Sequence, residues 1–270
     1  MEPEAQIAVT KTAKTWRRRG LLAVGSVTVI GWVVGAPRLF SPWSSRLTYR
    51  DLAGLTPFRE MDSTGTLSTP NTMLTGVDAS TPKDAARDAL IAAVRANPCA
   101  ALFGTQTDTR LSVASFSDFN CPNCRVLEAI LANYDAQNPG KIRIVHHELP
   151  LLGAASTIAS QAVLAADLQG GYAAMRDRLL RARMVTDLNY VIAMAESVGL
   201  DGRRLVADMQ APEIATALDR ANAIATVFGF YGTPATVVGR TAFLGAIPAA
   251  EVRQIIAAEL ASRNWGCQAG

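Results

Sequence analysis

Apolar residues recur along this chain in three rhythms, and each predicts a different element. The first is an unbroken block: Leu21 to Ala36, LLAVGSVTVIGWVVGA, runs sixteen residues without a charge, separated only by Gly20 from Trp16-Arg17-Arg18-Arg19. That is just short of the ~17–25 residues of a spanning helix and longer than many signal-peptide cores. The second rhythm is helical. Ala86, Leu90 and Val94 stand four apart in a short helix over 84–96, which Pro98 ends. Val126, Leu127, Ile130, Leu131 and Tyr134 predict another helix. Residues 154 to 229 read almost entirely as helix, with Asp201 as an N-cap after Gly199 and Pro212 in a first turn. There Ile214, Leu218, Ala221, Ala225 and Phe228 form an apolar stripe, and Ala249 to Leu260 predicts a last amphipathic helix. The third rhythm is β-prone: LSVASF from Leu111, Ile142 to His146, and the runs ATVVG and AFLGA around a hairpin turn at Gly239-Arg240-Thr241. Strand, helix and strand from Leu111 to His146 make a βαβ unit.

Two segments lack such rhythm. Residues 62–83 hold 13 Ser, Thr, Gly or Pro in 22 positions, too little apolar surface to repay ordering, and read as linker. Leu47 to Met61 has a few apolar residues and reads as a short docked segment. The apolar block near the start reads as an uncleaved anchor, with Trp16, Trp32 and Trp43 available for the interfaces. Two other readings stay open. Val34-Gly35-Ala36 resembles a cleavage site, although Pro37 argues against cleavage, and Arg18-Arg19 is a loose match to a twin-arginine signal. A buried helix is the bland alternative. Anchor and signal both leave the basic end inside and export everything after about residue 40.

Composition narrows the function classes. The net charge is +3, and Lys11, Lys14, Arg17, Arg18 and Arg19 all lie in the first twenty residues, so the balance speaks for topology and against nucleic acid. Four cysteines, Cys99, Cys121, Cys124 and Cys267, are too few for a disulfide scaffold in 270 residues. With one C-x-x-C and only His146 and His147, no zinc-finger spacing exists, and neither a metal nor an organic cofactor is expected.

The chemistry concentrates at Cys121-Pro122-Asn123-Cys124, where the first strand of the βαβ unit passes into its helix. With Cys121 at the helix start, Cys124 follows three residues on along the same face, within reach of a disulfide. Unpaired N–H groups and the positive end of the helix dipole favour a Cys121 thiolate, which is both nucleophile and good leaving group in disulfide exchange. Pro122 suits the first turn because its missing N–H is not needed there. A bare C-x-x-C is as often half a zinc site or a structural bridge. The strand before it, the amphipathic helix after it and an exported context favour redox chemistry.

SFSDFNCPNC before a helix, HELPLLG after the second strand, a long helical stretch and then FGFYGTPATVVG occur in this order. Together they resemble the DsbA family of thioredoxin-fold oxidoreductases over roughly Leu111 to Leu260. The resemblance implies an α/β thioredoxin fold interrupted by a helical domain, with a cis-proline loop against the active-site cysteines. It implies that Cys121 is the exposed nucleophile and Cys124 the buried resolving cysteine. It also implies that Pro234 is the cis-proline and that the backbone of Thr233 lines a substrate groove, free to pair with an extended client. The residues themselves show only a turn at Gly232-Thr233-Pro234. The chain then divides into a cytoplasmic basic tail (1–19), a transmembrane anchor or signal (20–40) and a linker with a short docked helix (41–100). A thioredoxin-like domain (101–267) follows, with its helical insertion at about 154–229.

One departure bears on function. The strongest oxidases of the family carry histidine before the second cysteine, and this chain has Asn123. A neutral amide offers the thiolate no cationic donor, so a milder oxidant is expected. Asp118 reads as a solvated turn residue, or as a proton carrier for Cys124. His146 and His147 end a strand and are expected to have no direct chemical role. Met175, Met184, Met194 and Met209 read as core filling in the helical stretch, or as a surface for loose partner binding. Cys99 and Cys267 flank the family-like core and read as a structural disulfide clamping its ends, or as two free or intermolecular thiols. The expected activity is disulfide exchange with exported proteins, as an oxidase. A reductase or isomerase fed by a membrane redox partner is the first alternative, and a redox-silent chaperone the second.

Overall fold

The computed structural model describes residues 47–62, 65–69, 82–104, 109–262 and 267. The expected basic tail and the expected anchor lie outside these residues. Among the described residues no helix is long and apolar enough to cross a membrane.

A six-stranded mixed sheet forms the centre, in the order β1-β2-β6-β5-β3-β4. The strands are β1 (Tyr49–Asp51), β2 (Arg59–Met61), β3 (Leu111–Ser117), β4 (Ile142–Glu148), β5 (Ala235–Val238) and β6 (Thr241–Leu244). Strand β3 pairs parallel with β4 and antiparallel with β5. All seven residues of β3 are buried, as in a strand covered on both faces. Its alternation sorts the core. Leu111 and Val113 pack among residues of helices α3 (Pro122–Gln137) and α9 (Ala249–Ser262). Ala114 and Phe116 pack among residues of helices α1 (Pro82–Ala96), α2 (Pro98–Phe103) and α8 (Pro212–Phe228).

The helical stretch comprises α4 (Ala154–Asp167), α5 (Tyr172–Arg181), α6 (Leu188–Ser197), α7 (Gly202–Asp208) and α8. It has its own core, from Ala159 and Val163 to Leu205 and Met209, into which Phe119 of the active-site loop is inserted. Asp201 caps α7 by accepting from the Arg203 and Arg204 N–H groups, and Pro212 opens α8, as expected. Met175, Met194 and Met209 are buried, whereas Met184 is 62 % exposed and fills no core.

The segments ahead of the family-like core differ from expectation. Leu47 to Met61 contains β1 and β2, an antiparallel pair that extends the sheet through β6. Pro98 ends one helix and begins another, because Asn97 caps α2 by accepting from the Ala100 N–H. Residues 65–69 are bound to the domain by two β-bridges, Thr66 to Ala246 and Ser68 to Thr233. Of the expected linker, 63–64 and 70–81 lie outside the described residues; residues 65–69 are held by their backbone. Cys99 and Cys267 form a disulfide that closes a span of 168 residues.

Candidate active site

The loop from β3 to α3 is tied down from several directions. Asp118 is fully buried, not solvated. Its Oδ1 accepts from the Asn120 N–H (2.8 Å) and the Ser156 hydroxyl (2.7 Å). Its Oδ2 accepts from the Leu151 and Leu152 N–H groups (2.8 and 2.9 Å). Four donors occupy the carboxylate, which therefore braces the β4–α4 connection against the active-site loop. Asn120 fastens the same loop to the helical insertion. Its Oδ1 accepts from the Val185 N–H (2.7 Å) and its Nδ2 donates to the Val185 carbonyl (3.2 Å).

Cys121 is the N-cap of α3, with extended backbone (φ −86°, ψ 113°), and Pro122 occupies the first turn. The Cys124 N–H donates to the Cys121 sulfur at 3.1 Å. The same sulfur lies 3.4 Å from Ser68 Oγ and 3.5 Å from the Thr233 carbonyl oxygen. The Cys121 thiol is brought down from 9.0 to about 6. The hydrogen bond from the Cys124 side chain contributes most, burial opposes it, and the side chains of Ser68 and Thr233 and then the Cys124 N–H add to the lowering. Cys124 shifts the other way, pushed far up by burial and then by its bond to Cys121. One thiol is thus ionised at neutral pH and its partner holds its proton.

The Thr233–Pro234 peptide is cis, and its loop closes the site opposite the helix. The four residues expected to form the site, Cys121, Cys124, Thr233 and Pro234, therefore stand together. Cys99 and Cys267 stand apart in their disulfide. Neither histidine reaches the cysteines. His147 stacks on Phe116 (4.6 Å, 11°) and bonds through Nε2 to the Leu102 carbonyl. His146 lies 3.8 Å from Glu128. Burial pushes both down to about 4, so they are neutral at pH 7.

A comparison with family models matches residues 112–257 to the DSBA-like thioredoxin domain. The chain belongs to the DSBA-like thioredoxin domain family. It is a thiol-disulfide oxidoreductase of thioredoxin fold. Among solved structures it is similar to a thioredoxin-like oxidoreductase from Silicibacter pomeroyi DSS-3 (TM-score 0.56, 31 % identity, 59 % of this chain and 95 % of that one). It is also similar to the catalytic domain of Proteus mirabilis ScsC (TM-score 0.55, 25 % identity, 65 % and 98 %). The fold is shared with the thiol-disulfide exchange protein alpha-DsbA2 from Wolbachia pipientis (TM-score 0.55, 17 % identity, 67 % and 99 %). No curated protein matches the chain.

Set within this DSBA-like domain, two expectations fail. Cys121 was to be the exposed thiol, yet it is 0 % exposed. Ser68 stands over it, and the Thr233 backbone, expected free, is bonded in both directions: Ser68 N–H to Thr233 O at 2.8 Å and Thr233 N–H to Ser68 O at 2.9 Å. Asn123 donates to Ser68 Oγ at 3.2 Å.

Beneath the cysteines lies a charged cluster that sequence reasoning missed. Glu128 follows Cys124 by one helical turn and is buried. It accepts from Ser115 (2.8 Å) and Ser117 (2.6 Å) of β3 and pairs with Arg176 of the insertion (2.8 Å). Burial alone would raise its carboxyl, but Arg176, His146 and Ser117 carry it down to about 2. Arg176 Nε also lies 3.7 Å from Glu148, whose carboxyl burial pushes up to about 7 and which accepts from the Tyr172 hydroxyl. Helical spacing from Cys124 was a signal for Glu128; nothing local marked Arg176. Among the described residues no three His, Cys, Asp or Glu gather as a metal site.

Proposed function

We propose that the chain oxidises cysteine pairs of exported proteins through Cys121 and Cys124, with Thr233 and cis-Pro234 presenting the client. In the oxidised enzyme the two cysteines share a disulfide. A client thiolate attacks the Cys121 sulfur, the Cys121–Cys124 bond breaks, and Cys124 leaves with the electron pair and takes up a proton. A second client thiolate then attacks the client sulfur of the mixed disulfide, and Cys121 leaves as a thiolate. The client has lost two electrons and the enzyme has gained them. A membrane partner carrying a disulfide takes them back by the reverse exchange.

The observation that carries this reading is the opposed ionisation of the two thiols. A thiol lowered to about 6 is a good leaving group and a stable product at neutral pH. A high-pKa partner is a strong nucleophile once deprotonated and resolves the mixed disulfide that Cys121 forms with the membrane partner during re-oxidation. For location, the reading is a single-pass anchor over 20–40 with the catalytic domain on the periplasmic side. The basic run before Leu21 supports it, as does the likeness to a periplasmic thioredoxin-like protein from Salmonella enterica serovar Typhimurium. Fractionation tests the anchor. The full-length chain should stay with the membrane, and a soluble chain starting near Pro37 would exclude it.

A second reading, reductase or isomerase, rests on Asn123, which gives the thiolate no cation. Trapping thiols in intact cells separates the two. A mostly oxidised Cys121–Cys124 pair is expected for an oxidase, and a mostly reduced pair would transfer the assignment to the alternative.

A further inference from the structure

Residues 65–69 lie where an extended client would lie. Ser68 faces Thr233 in antiparallel register and exchanges both backbone hydrogen bonds with it. Two residues back, Thr66 does the same with Ala246: Thr66 N–H to Ala246 O at 3.1 Å and Ala246 N–H to Thr66 O at 2.8 Å. Strand periodicity then points the Ser68 side chain at the cysteine, 3.4 Å from its sulfur. Serine differs from cysteine only in oxygen for sulfur, so this position holds a nearly isosteric residue that cannot form a disulfide.

The surroundings are shaped for this segment. A Cβ on Gly232 would come within 2.7 Å of the Ser68 carbonyl oxygen and 2.9 Å of the Leu67 side chain. One on Gly245 would come within 2.5 Å of the Gly65 backbone, and one on Gly65 within 2.9 Å of the Gly245 backbone. Backbone approaches this close exclude any side chain at these three positions. Asn123 contributes from the other side. Its amide donates to Ser68 Oγ, which leaves the serine's own proton for the Cys121 thiolate.

We propose that residues 65–69 are an intramolecular pseudo-substrate. They hold the client groove as an added strand, with Ser68 in the seat of the client cysteine, and an incoming extended polypeptide must displace them. The proposal rests on Cys121 being the residue that meets the client. It names both the bound form of the client, a strand antiparallel to Thr233, and a brake on the reaction. A groove filled by its own chain nine-tenths of the time binds clients about tenfold more weakly than an open one.

Two measurements test it. The first uses Thr66→Pro/Ser68→Pro, which deletes the two N–H groups that the segment donates and leaves the cysteines and the cis-proline loop in place. At pH 8 wild-type Cys121 should be alkylated by iodoacetamide about tenfold more slowly than in the variant, and equal rates overturn the proposal. The second uses Ser68→Cys/Cys124→Ser with oxidised glutathione, which accepts two electrons and leaves as two reduced molecules. A monomeric bond between position 68 and Cys121 should form at a rate independent of protein concentration. Glutathione on Cys121, or dimers, with no such bond, overturns the proposal. The proposed function is read separately, on oxidation of a two-cysteine peptide by the wild type. If that peptide is untouched while the internal bond forms, the function falls and the pseudo-substrate stands.

Discussion

The Cys124 N–H points at the Cys121 sulfur across 3.1 Å, so the second cysteine of the motif solvates the first. This bond exists because Cys121 caps α3, and the N–H groups of a first helical turn have no partner within the helix. Ser68 and Thr233 complete the shell around the sulfur, and Cys124 is left buried and protonated.

The first prediction is a pH dependence. Corrected for the segment that covers it, Cys121 alkylation should rise with a midpoint near pH 6, while Cys124 stays unreactive through neutral pH. The reduced fold's Cys121 ionises below the ordinary 9.0, so its thiolate favours the reduced form as pH rises above about 6 and has no effect below that. Reduction takes up two protons below pH 6 and one above it. The potential should therefore fall by ~59 mV per pH unit at acid pH and by ~30 mV per unit at neutral pH. Titration against glutathione buffers from pH 5 to 8 reads the break. A single slope of ~59 mV across that range would mean Cys121 is not ionised in the reduced enzyme.

Asn123 gives the second prediction. An imidazolium at the helix start stabilises the thiolate more than an amide does, so Asn123→His should make the couple more oxidising. One decade in the exchange constant equals ~30 mV, and a gain of that order is expected. An unchanged or more negative potential would show that Asn123 does not set the poise, and would remove the main support for an isomerase reading.

The motif, the βαβ unit and the helical insertion were legible because their signals are local. Spacing within one helix placed Cys121 and Cys124 together, and apolar periodicity marked β3, α3 and α8. The pairing of Ser68 with Thr233 left no trace of that kind. It is made by backbone groups 165 positions apart, which carry no side-chain pattern, and Ser68 belongs to a segment whose composition reads as linker. Asp118 was misjudged for a related reason. Three of its four donors, at Leu151, Leu152 and Ser156, arrive from the far side of β4, and only the fold brings them to it. Glu128 sat at helical spacing in plain view, but its meaning depends on Arg176, 48 residues on.

The third prediction concerns the clamp between Cys99 and Cys267. Closing a span of 168 residues removes unfolded-state entropy, so Cys99→Ser/Cys267→Ser should cost ~3–5 kcal/mol. At ~2–4 °C per kcal/mol for a domain of this size, the melting temperature should drop by about 10 °C, measured by thermal unfolding under non-reducing conditions. An unchanged melting temperature would mean the bridge leaves the stability of the domain unaltered. Oxidation of a model peptide well below that temperature should persist, because neither cysteine touches the active site.

Exchange through Cys121, with Cys124 as the resolving thiol, is tested most directly by trapping the mixed disulfide. In Cys124→Ser the lone Cys121 thiolate attacks a client disulfide, breaking it and releasing one client thiolate, and the thiol that would resolve the mixed disulfide by attack on the Cys121 sulfur is gone, so clients should remain covalently attached to Cys121. They would appear on non-reducing gels as adducts that collapse on adding dithiothreitol, with mass spectrometry placing the bond at Cys121. Cys121→Ser should trap none. Adducts of equal abundance in both variants, or adducts confined to Cys121→Ser, would contradict the assignment.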